Sequence, residues 1–247
     1  MPPRNEPDAM IDMPRQVVMG GMAELKTGLL AHIQSQAPLA WVVTLNPEIL
    51  VQAQSHPVMA RAIEGAQWVT VDGVGIQWAR RVLGWPAAPR LTGMEVVNEC
   101  VRWPVRLALI GGAPGVADAA AQAMTRAGGT VVWVHHGFVP RNDWARVIDE
   151  LNAHDPDIIL VGMGSPRQDE WIQQMVGVVG HGVAMGVGGV LDVWAGQVKR
   201  APVWMQRLGL EWAWRVMCQP QRIGRLWRMA GPFLRWVCRA WVASKRP

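Results

Sequence analysis

The sequence predicts an α/β fold, a Rossmann-like, mostly parallel sheet flanked by helices, with a basic amphipathic helical appendage at the C-terminus. Three observations predict it. Short apolar runs rich in β-branched residues alternate with stretches of helical periodicity, the pattern of successive βαβ units. Those runs end in glycine-rich or polar turns, as the strands of a buried parallel sheet do. Charge is also segregated: residues 200–247 hold ten Lys or Arg and one acid, Glu211, whereas residues 1–199 hold 14 bases and 18 acids. The net charge of +5 therefore belongs to the tail, not to the body.

These features divide the chain into a disordered lead-in (1–20), an α/β core (21–200) and a helical, membrane-associating appendage (201–247). The lead-in carries Pro2, Pro3, Pro7 and Pro14 with acids between them, unlike the apolar core of a signal peptide. Met22, Leu25, Leu29, Leu30 and Ile33 have helical spacing and predict a first helix over 22–36. Residues 40–45 read as a strand that stops at Asn46-Pro47, and a helix follows to about Ala62. Residues 68–71 form a second strand, halted by Asp72-Gly73. Beyond these come strand 105–110, a tight Gly111-Gly112-Ala113-Pro114-Gly115 loop, and an Ala-rich helix over 116–127 closed by Gly128-Gly129. Strand 130–134, helix 143–153, strand 157–162, helix 168–176 and strand 182–187 complete the alternation.

Ligands of such sheets sit outside the carboxyl ends of the strands, which selects five loops: 44–48, 72–75, 111–115, 163–168 and 188–192. Thr44 and Asn46, two residues apart, point the same way along a strand and can meet sugar hydroxyls; equally, Asn46-Pro47 can simply turn the strand into a helix. Asp72, at a strand end beside small residues, is placed to take a proton from a hydroxyl, or to cap a helix. The 111–115 loop matches neither the dinucleotide nor the P-loop glycine pattern and reads as a packing turn. Arg167 and Gln168 crowd a strand-to-helix turn where the helix N-terminus favours anions; Asp169 and Glu170 there also suit the helix dipole. Gly188 and Gly189 allow close backbone approach to a ligand, with Asp192 three residues on.

Other chemistries lack support. Cys100, Cys218 and Cys238 have no metal or redox spacing and read as reduced thiols of a cytosolic setting. His135 and His136, adjacent on a strand, are expected to face opposite sides. No Ser elbow accompanies a Ser-His-Asp set. No apolar run reaches transmembrane length.

In the tail, Ile223, Leu226, Trp227, Ala230, Leu234, Val237 and Trp241 fall within a helical stripe about 100° wide, with Arg225, Arg228, Arg235 and Arg239 opposite. Pro220 and Pro232 are expected to divide the segment into short helices. A terminal helix packed on the core explains the stripe; contact with an anionic membrane also explains the dearth of acids. Nucleic acid is disfavoured, since the positive charge is confined to one end and no recognised module occurs.

Together these pieces resemble the WecG/TagA/CpsF family of bacterial glycosyltransferases. The matching pieces run in family order: Thr44-x-Asn46-x-Glu48, Asp72-Gly73-x-Gly75, Arg90-Leu91-Thr92-Gly93, and Gly164-x-Pro166-Arg167-Gln168. They continue with Gly186-Val187-Gly188-Gly189-x-x-Asp192-x-x-Ala195-Gly196 and Lys199-Arg200-Ala201-Pro202, and close with Glu211-Trp212-x-x-Arg215, Pro220-x-Arg222 and Arg225. Three positions depart from the family pattern: Val71 stands for the usual Pro, Glu95 for Asp and Asp169 for Glu. The resemblance implies a metal-independent, inverting hexosyltransferase that needs no cofactor. It would move N-acetylmannosamine, its uronic acid or glucose from a UDP-sugar to a polyprenyl-diphosphate-linked saccharide in cell-surface polysaccharide assembly. It implies Asp72 as general base, Thr44, Asn46, Gln168 and Arg90 around the reacting sugar, and Gly188, Gly189 and Asp192 in substrate binding. Arg215, Arg222 and Arg225 would hold diphosphate. The expected setting is peripheral, on the cytoplasmic face of the inner membrane, and compatible with a homo-oligomer. The alternative is a non-catalytic membrane adaptor that keeps the fold.

Overall fold

The computed structural model describes residues 17–245, the side chains of Arg222 and Arg225 excepted. Six strands, β1 (Ala40–Leu45), β2 (Trp68–Val71), β3 (Arg106–Gly111), β4 (Thr130–His135), β5 (Ile158–Gly162) and β6 (Val183–Gly186), form one sheet. Their order is β2-β1-β6-β5-β3-β4 and every pairing is parallel. Both faces are covered, so the central strands are apolar at every position instead of alternating; all five residues of β5 are buried.

Helices α1 (Gly21–Gln34), α2 (Pro47–Ala53), α3 (Pro57–Gly65), α4 (Val74–Val82), α5 (Gly93–Cys100), α6 (Val116–Arg126), α7 (Trp144–Ala153), α8 (Arg167–Met175) and α9 (Val190–Trp194) surround the sheet. Side-chain alternation along each strand builds two cores. Trp41, Val43 and Leu45 of β1 pack with α2, α3, α4, α7 and α8, whereas Ala40 and Val42 pack with α1, α5, α6 and α9. The helix expected to run to Ala62 is in fact two. Pro57 opens α3, and the residue before it, His56, takes the extended φ −119° and ψ 103° that a following proline imposes.

The outer edge of β2 is covered by short bridges. Val17 pairs with Val69, within the stretch expected as lead-in, and Arg90 pairs with Val71. Val18 N–H donates to Val69 at 3.0 Å and Leu91 N–H to Val71 at 2.9 Å. The second bridge fixes the Arg90 backbone one residue short of Asp72. Elsewhere, His135 and His136 do not diverge. Strand β4 ends at His135, and the two rings meet with centroids 4.4 Å apart.

The chain continues through α10 (Val203–Arg207), α11 (Glu211–Cys218) and α12 (Ile223–Ser244). Pro220 begins a short 3₁₀ turn, but Pro232 does not break α12, which is continuous over 22 residues. The apolar stripe read from the sequence is mostly not the face that docks: of its members Val237 is buried, beside Phe233, Trp236 and Ala240, which lay outside it. Phe233, Trp236, Val237 and Ala240 are buried against the α2 side of the core, whereas Ile223, Trp227, Leu234 and Trp241 are exposed. Trp236 lies 6.2 Å from Trp85 and Phe233 lies 6.3 Å from Trp78, ring centre to ring centre.

Deleting a buried indole costs about 3–5 kcal/mol, while a change at an exposed one falls within about 0.5 kcal/mol. Trp236→Ala should therefore lower the urea-unfolding free energy by several kcal/mol and Trp227→Ala should leave it nearly unchanged. Equal effects would mean that α12 is not docked along the Trp236 side.

Candidate active site

Strands β1 and β6 are neighbours, yet their following helices leave in opposite directions, α2 to one face and α9 to the other. That divergence opens a crevice at the carboxyl ends of the strands, where α/β sheets receive ligands. Buried Thr44 of β1 reaches across it, its Oγ1 donating to the Gly186 carbonyl of β6 at 3.4 Å.

Asp72 stands at the end of β2, its N–H donating to the Leu45 carbonyl at 2.8 Å. Gly73 follows with φ +96°, a left-handed conformation that turns the chain into α4 without strain. Burial pushes the Asp72 carboxyl up to about 6; Arg215 and the Gly93 N–H, which donates to it, act against the rise, and Glu211 and Glu95 add to it. Such a group is largely ionised at neutral pH yet binds a proton firmly enough to accept one in a reaction.

Asn46 serves as a cap: its Oδ1 accepts from Ile49 N–H at 3.0 Å at the start of α2. Gln168 is a staple between two loops. Its Oε1 accepts from Gly164 N–H at 3.2 Å and from Gly188 N–H at 3.1 Å, and its Nε2 donates to Ser165 Oγ at 3.2 Å. A Cβ on Gly186 would lie 2.5 Å from that Nε2, so this glycine is what lets the staple close. Gln168 thus shapes the crevice by holding backbone, and the Gly188 N–H is already engaged. Arg167 turns away: it donates to the Val139 carbonyl and lies 5.7 Å from the Trp144 ring centre. Asp169 is buried, with Oδ2 lacking a hydrogen-bond partner, and burial pushes its carboxyl up to about 6. The 111–115 loop is a packing turn, with Gly112 N–H donating to the Gly162 carbonyl at 3.1 Å.

The appendage closes one side of the site. Arg90 Nη1 donates to Glu211 Oε2 at 3.2 Å, and its Nη2 to the Gln206 carbonyl at 2.9 Å. Glu95 lies 3.6 Å from the same guanidinium, and Arg200 Nε lies 3.6 Å from Glu211 Oε1. Glu95 itself completes a capping box with Thr92, which fixes the start of α5. Beside this network is a cavity of about 150 Å³ lined by Gly189, Asp192, Lys199, Trp214, Arg215 and Cys218, among others. The structure therefore gathers Asp72, Arg90 and Arg215 at one end, and Gly189, Asp192 and Arg215 around the cavity. Arg222 and Arg225 lie outside the described side chains.

Across residues 13–247 the chain matches the model of the glycosyl transferase WecG/TagA/CpsF family. It belongs to that family. It is similar to the N-acetylglucosaminyldiphosphoundecaprenol N-acetyl-β-D-mannosaminyltransferases of Staphylococcus aureus strains NCTC 8325 / PS 47 and COL. Identity to each is 36% over 191 residues, covering 75% of this chain and 75% of the relative. The chain is a glycosyltransferase, specifically a hexosyltransferase. Within this transferase, three site residues carried no role in the sequence reading: Glu211, Lys199 and Trp214. Glu211 had a readable signal, as the one acid among the ten bases of the tail. The Thr92-x-x-Glu95 spacing likewise announces a helix start.

The raised Asp72 fixes a sign. The folded protein holds this proton more tightly than the unfolded chain does, so the group's contribution to stability is greatest below about pH 4, falls as pH rises toward 6, and is constant above. Asp72→Asn, which mimics the protonated acid, should be more stable than the parent at pH 7.5 by about 1–3 kcal/mol, with the gap closing below about pH 4. Thermal or urea unfolding at the two pH values measures this; a gap independent of pH would place Asp72 in water.

Proposed function

We propose that this chain transfers a hexose of the N-acetylmannosamine, N-acetylmannosaminuronic acid or glucose kind from a UDP-sugar to a polyprenyl-diphosphate-linked saccharide. The transfer inverts the anomeric centre and uses no metal. The observation that carries this reading is Asp72: a carboxylate at a strand end, its proton affinity raised to about 6, with the charge of Arg215 acting on it, while Arg215 also lines a cavity together with Lys199 and Asp192. An acceptor hydroxyl attacks the anomeric carbon, its proton passes to the Asp72 carboxylate, and the bond from that carbon to the UDP oxygen breaks on the opposite side. The electron pair leaves with the diphosphate. Arg215 and Lys199 line the cavity where that charge develops, and arginine forks meet phosphate oxygens with charge-assisted hydrogen bonds. The resemblance adds Arg222 and Arg225 to this set. The lipid-linked acceptor is supported by the activity for which the relatives are named, transfer to N-acetylglucosaminyldiphosphoundecaprenol.

UDP release measured over a panel of UDP-sugars, with a lipid-diphosphate acceptor and EDTA present, tests this reading. Turnover should persist in EDTA, and Asp72→Asn should lower it by about 10² to 10⁴, the usual worth of a general base. More than a third of parental turnover in that variant would remove Asp72 from the chemistry, and recovery only on adding Mg²⁺ or Mn²⁺ would replace the arginines by a cation.

A peripheral seat on an anionic membrane accompanies this function. Among the described residues no helix is long and apolar enough to cross a bilayer. The exposed flank of α12, with Ile223, Trp227, Leu234 and Trp241, lies beside a face carrying Arg228, Arg235 and Arg239, a combination suited to the headgroup region. Sedimentation with anionic vesicles should show binding that weakens as salt rises, because the Debye length falls from about 10 Å at 0.1 M to about 3 Å at 1 M. The pair Trp227→Glu and Trp241→Glu should reduce partitioning at least about tenfold. Undiminished binding by that variant would assign the flank to another surface.

A further inference from the structure

Arg90 was expected beside the reacting sugar, but its guanidinium is committed elsewhere. It donates to Glu211 at 3.2 Å and to the Gln206 carbonyl at 2.9 Å, with Glu95 at 3.6 Å. Both partners of the ion pair are shielded, the Arg90 side chain 18% and the Glu211 side chain 20% exposed, so the contact is weakly screened. The core side of the pair is rigid, because the Arg90 backbone bridges to Val71 and the Leu91 N–H donates to the same residue at 2.9 Å. The other side is α11, on which Glu211 and Arg215 are one helical turn apart and share a face. Fixing Glu211 against Arg90 therefore fixes how α11 is rotated about its axis, and with it where Arg215 points. Arg200, 3.6 Å from the second oxygen of Glu211, and Trp214, whose Nε1 donates to the Lys199 carbonyl at 3.0 Å, hold the same helix from the chain that precedes it.

We propose that Arg90 and Glu211 are positioning residues: their ion pair docks α11 against the end of β2 and thereby sets Arg215 over Asp72. Arg90 acts on the reaction through that placement and not by touching substrate. Among the described residues the charged groups acting on Asp72 are few. Arg215 and Glu211 come from α11 and Glu95 from α5, and the Gly93 N–H is the neighbouring donor. Of the charged groups among the described side chains, Arg215 is the one that favours the ionised carboxylate, so any change that lets α11 swing away removes that support and raises the pH at which Asp72 ionises.

The turnover arm of the test rests on the function proposed above, and a second arm does not. Hydrogen–deuterium exchange on the substrate-free protein should show residues 211–218 exchanging faster in Arg90→Gln than in the parent, with β1, β5 and β6 unchanged. The kcat/KM of Arg90→Gln should fall by about 10- to 100-fold, the scale of a small misplacement of a reacting group, and its acidic limb should move to higher pH, as in Arg215→Gln. The double variant should lose no more than the worse single variant. Arg90→Lys should recover only part of the activity, since one ammonium does not reproduce a planar fork holding a carboxylate and a carbonyl. Losses that multiply in the double variant would place Arg90 on the substrate and overturn the proposal, as would unchanged exchange in α11. Should Arg90→Gln fold poorly, Glu211→Gln reads the same release of α11, and full protection there is equally decisive against it. If the parent protein transfers no sugar, the exchange arm alone decides the positioning role.

Discussion

The site depends on a carboxylate partly withheld from water. Asp72 sits at the end of a buried strand, with its own N–H tied to β1 and few donors nearby, so ionising it costs the fold part of its stability. Everything around it bears on how large that cost is. The Gly93 N–H and Arg215 reduce it, and Glu95 and Glu211 increase it. A carboxyl placed this way holds a proton up to about pH 6, which a fully solvated aspartate does not.

Around that carboxylate, polar side chains have more structural duties than a reading of loops suggests. Asn46 caps a helix, Gln168 staples two loops, Arg167 holds the Val139 carbonyl, and Glu95 closes a capping box. Each supplies partners to backbone groups that a parallel sheet leaves exposed at its carboxyl ends. The crevice is consequently preorganised: the loops that shape it are tied to one another by side chains.

How much of this was legible follows from periodicity. The six strands and the major helices were readable because buried parallel strands are uniformly apolar and amphipathic helices are not. Short elements such as α9, α10 and α11 escaped, since five to eight residues give too few turns for a period to show. The second break in the 47–65 region needed Pro57 to be read as a first helical residue. Family order singled out Arg90 and Asp72, but residue type did not reveal partners: Arg90 and Glu211 are 121 positions apart, and only folding brings them together. The tail shows the same limit, because a stripe was recognised while the face that docks depends on where α12 lands on α2.

Pro232 within α12 has one more consequence. Proline offers no N–H, so the carbonyl four residues earlier, at Arg228, loses its helical partner and must be hydrated. Arg228 directly follows Trp227, about 100° further round the helix. Hydrocarbon supplies no hydrogen bonds, and an unsatisfied carbonyl there costs several kcal/mol. Were α12 to rest on a bilayer as proposed, it would therefore carry its own draught mark: the carbonyl at Arg228 would stay at the waterline and limit how deep the neighbouring Trp227 could sink.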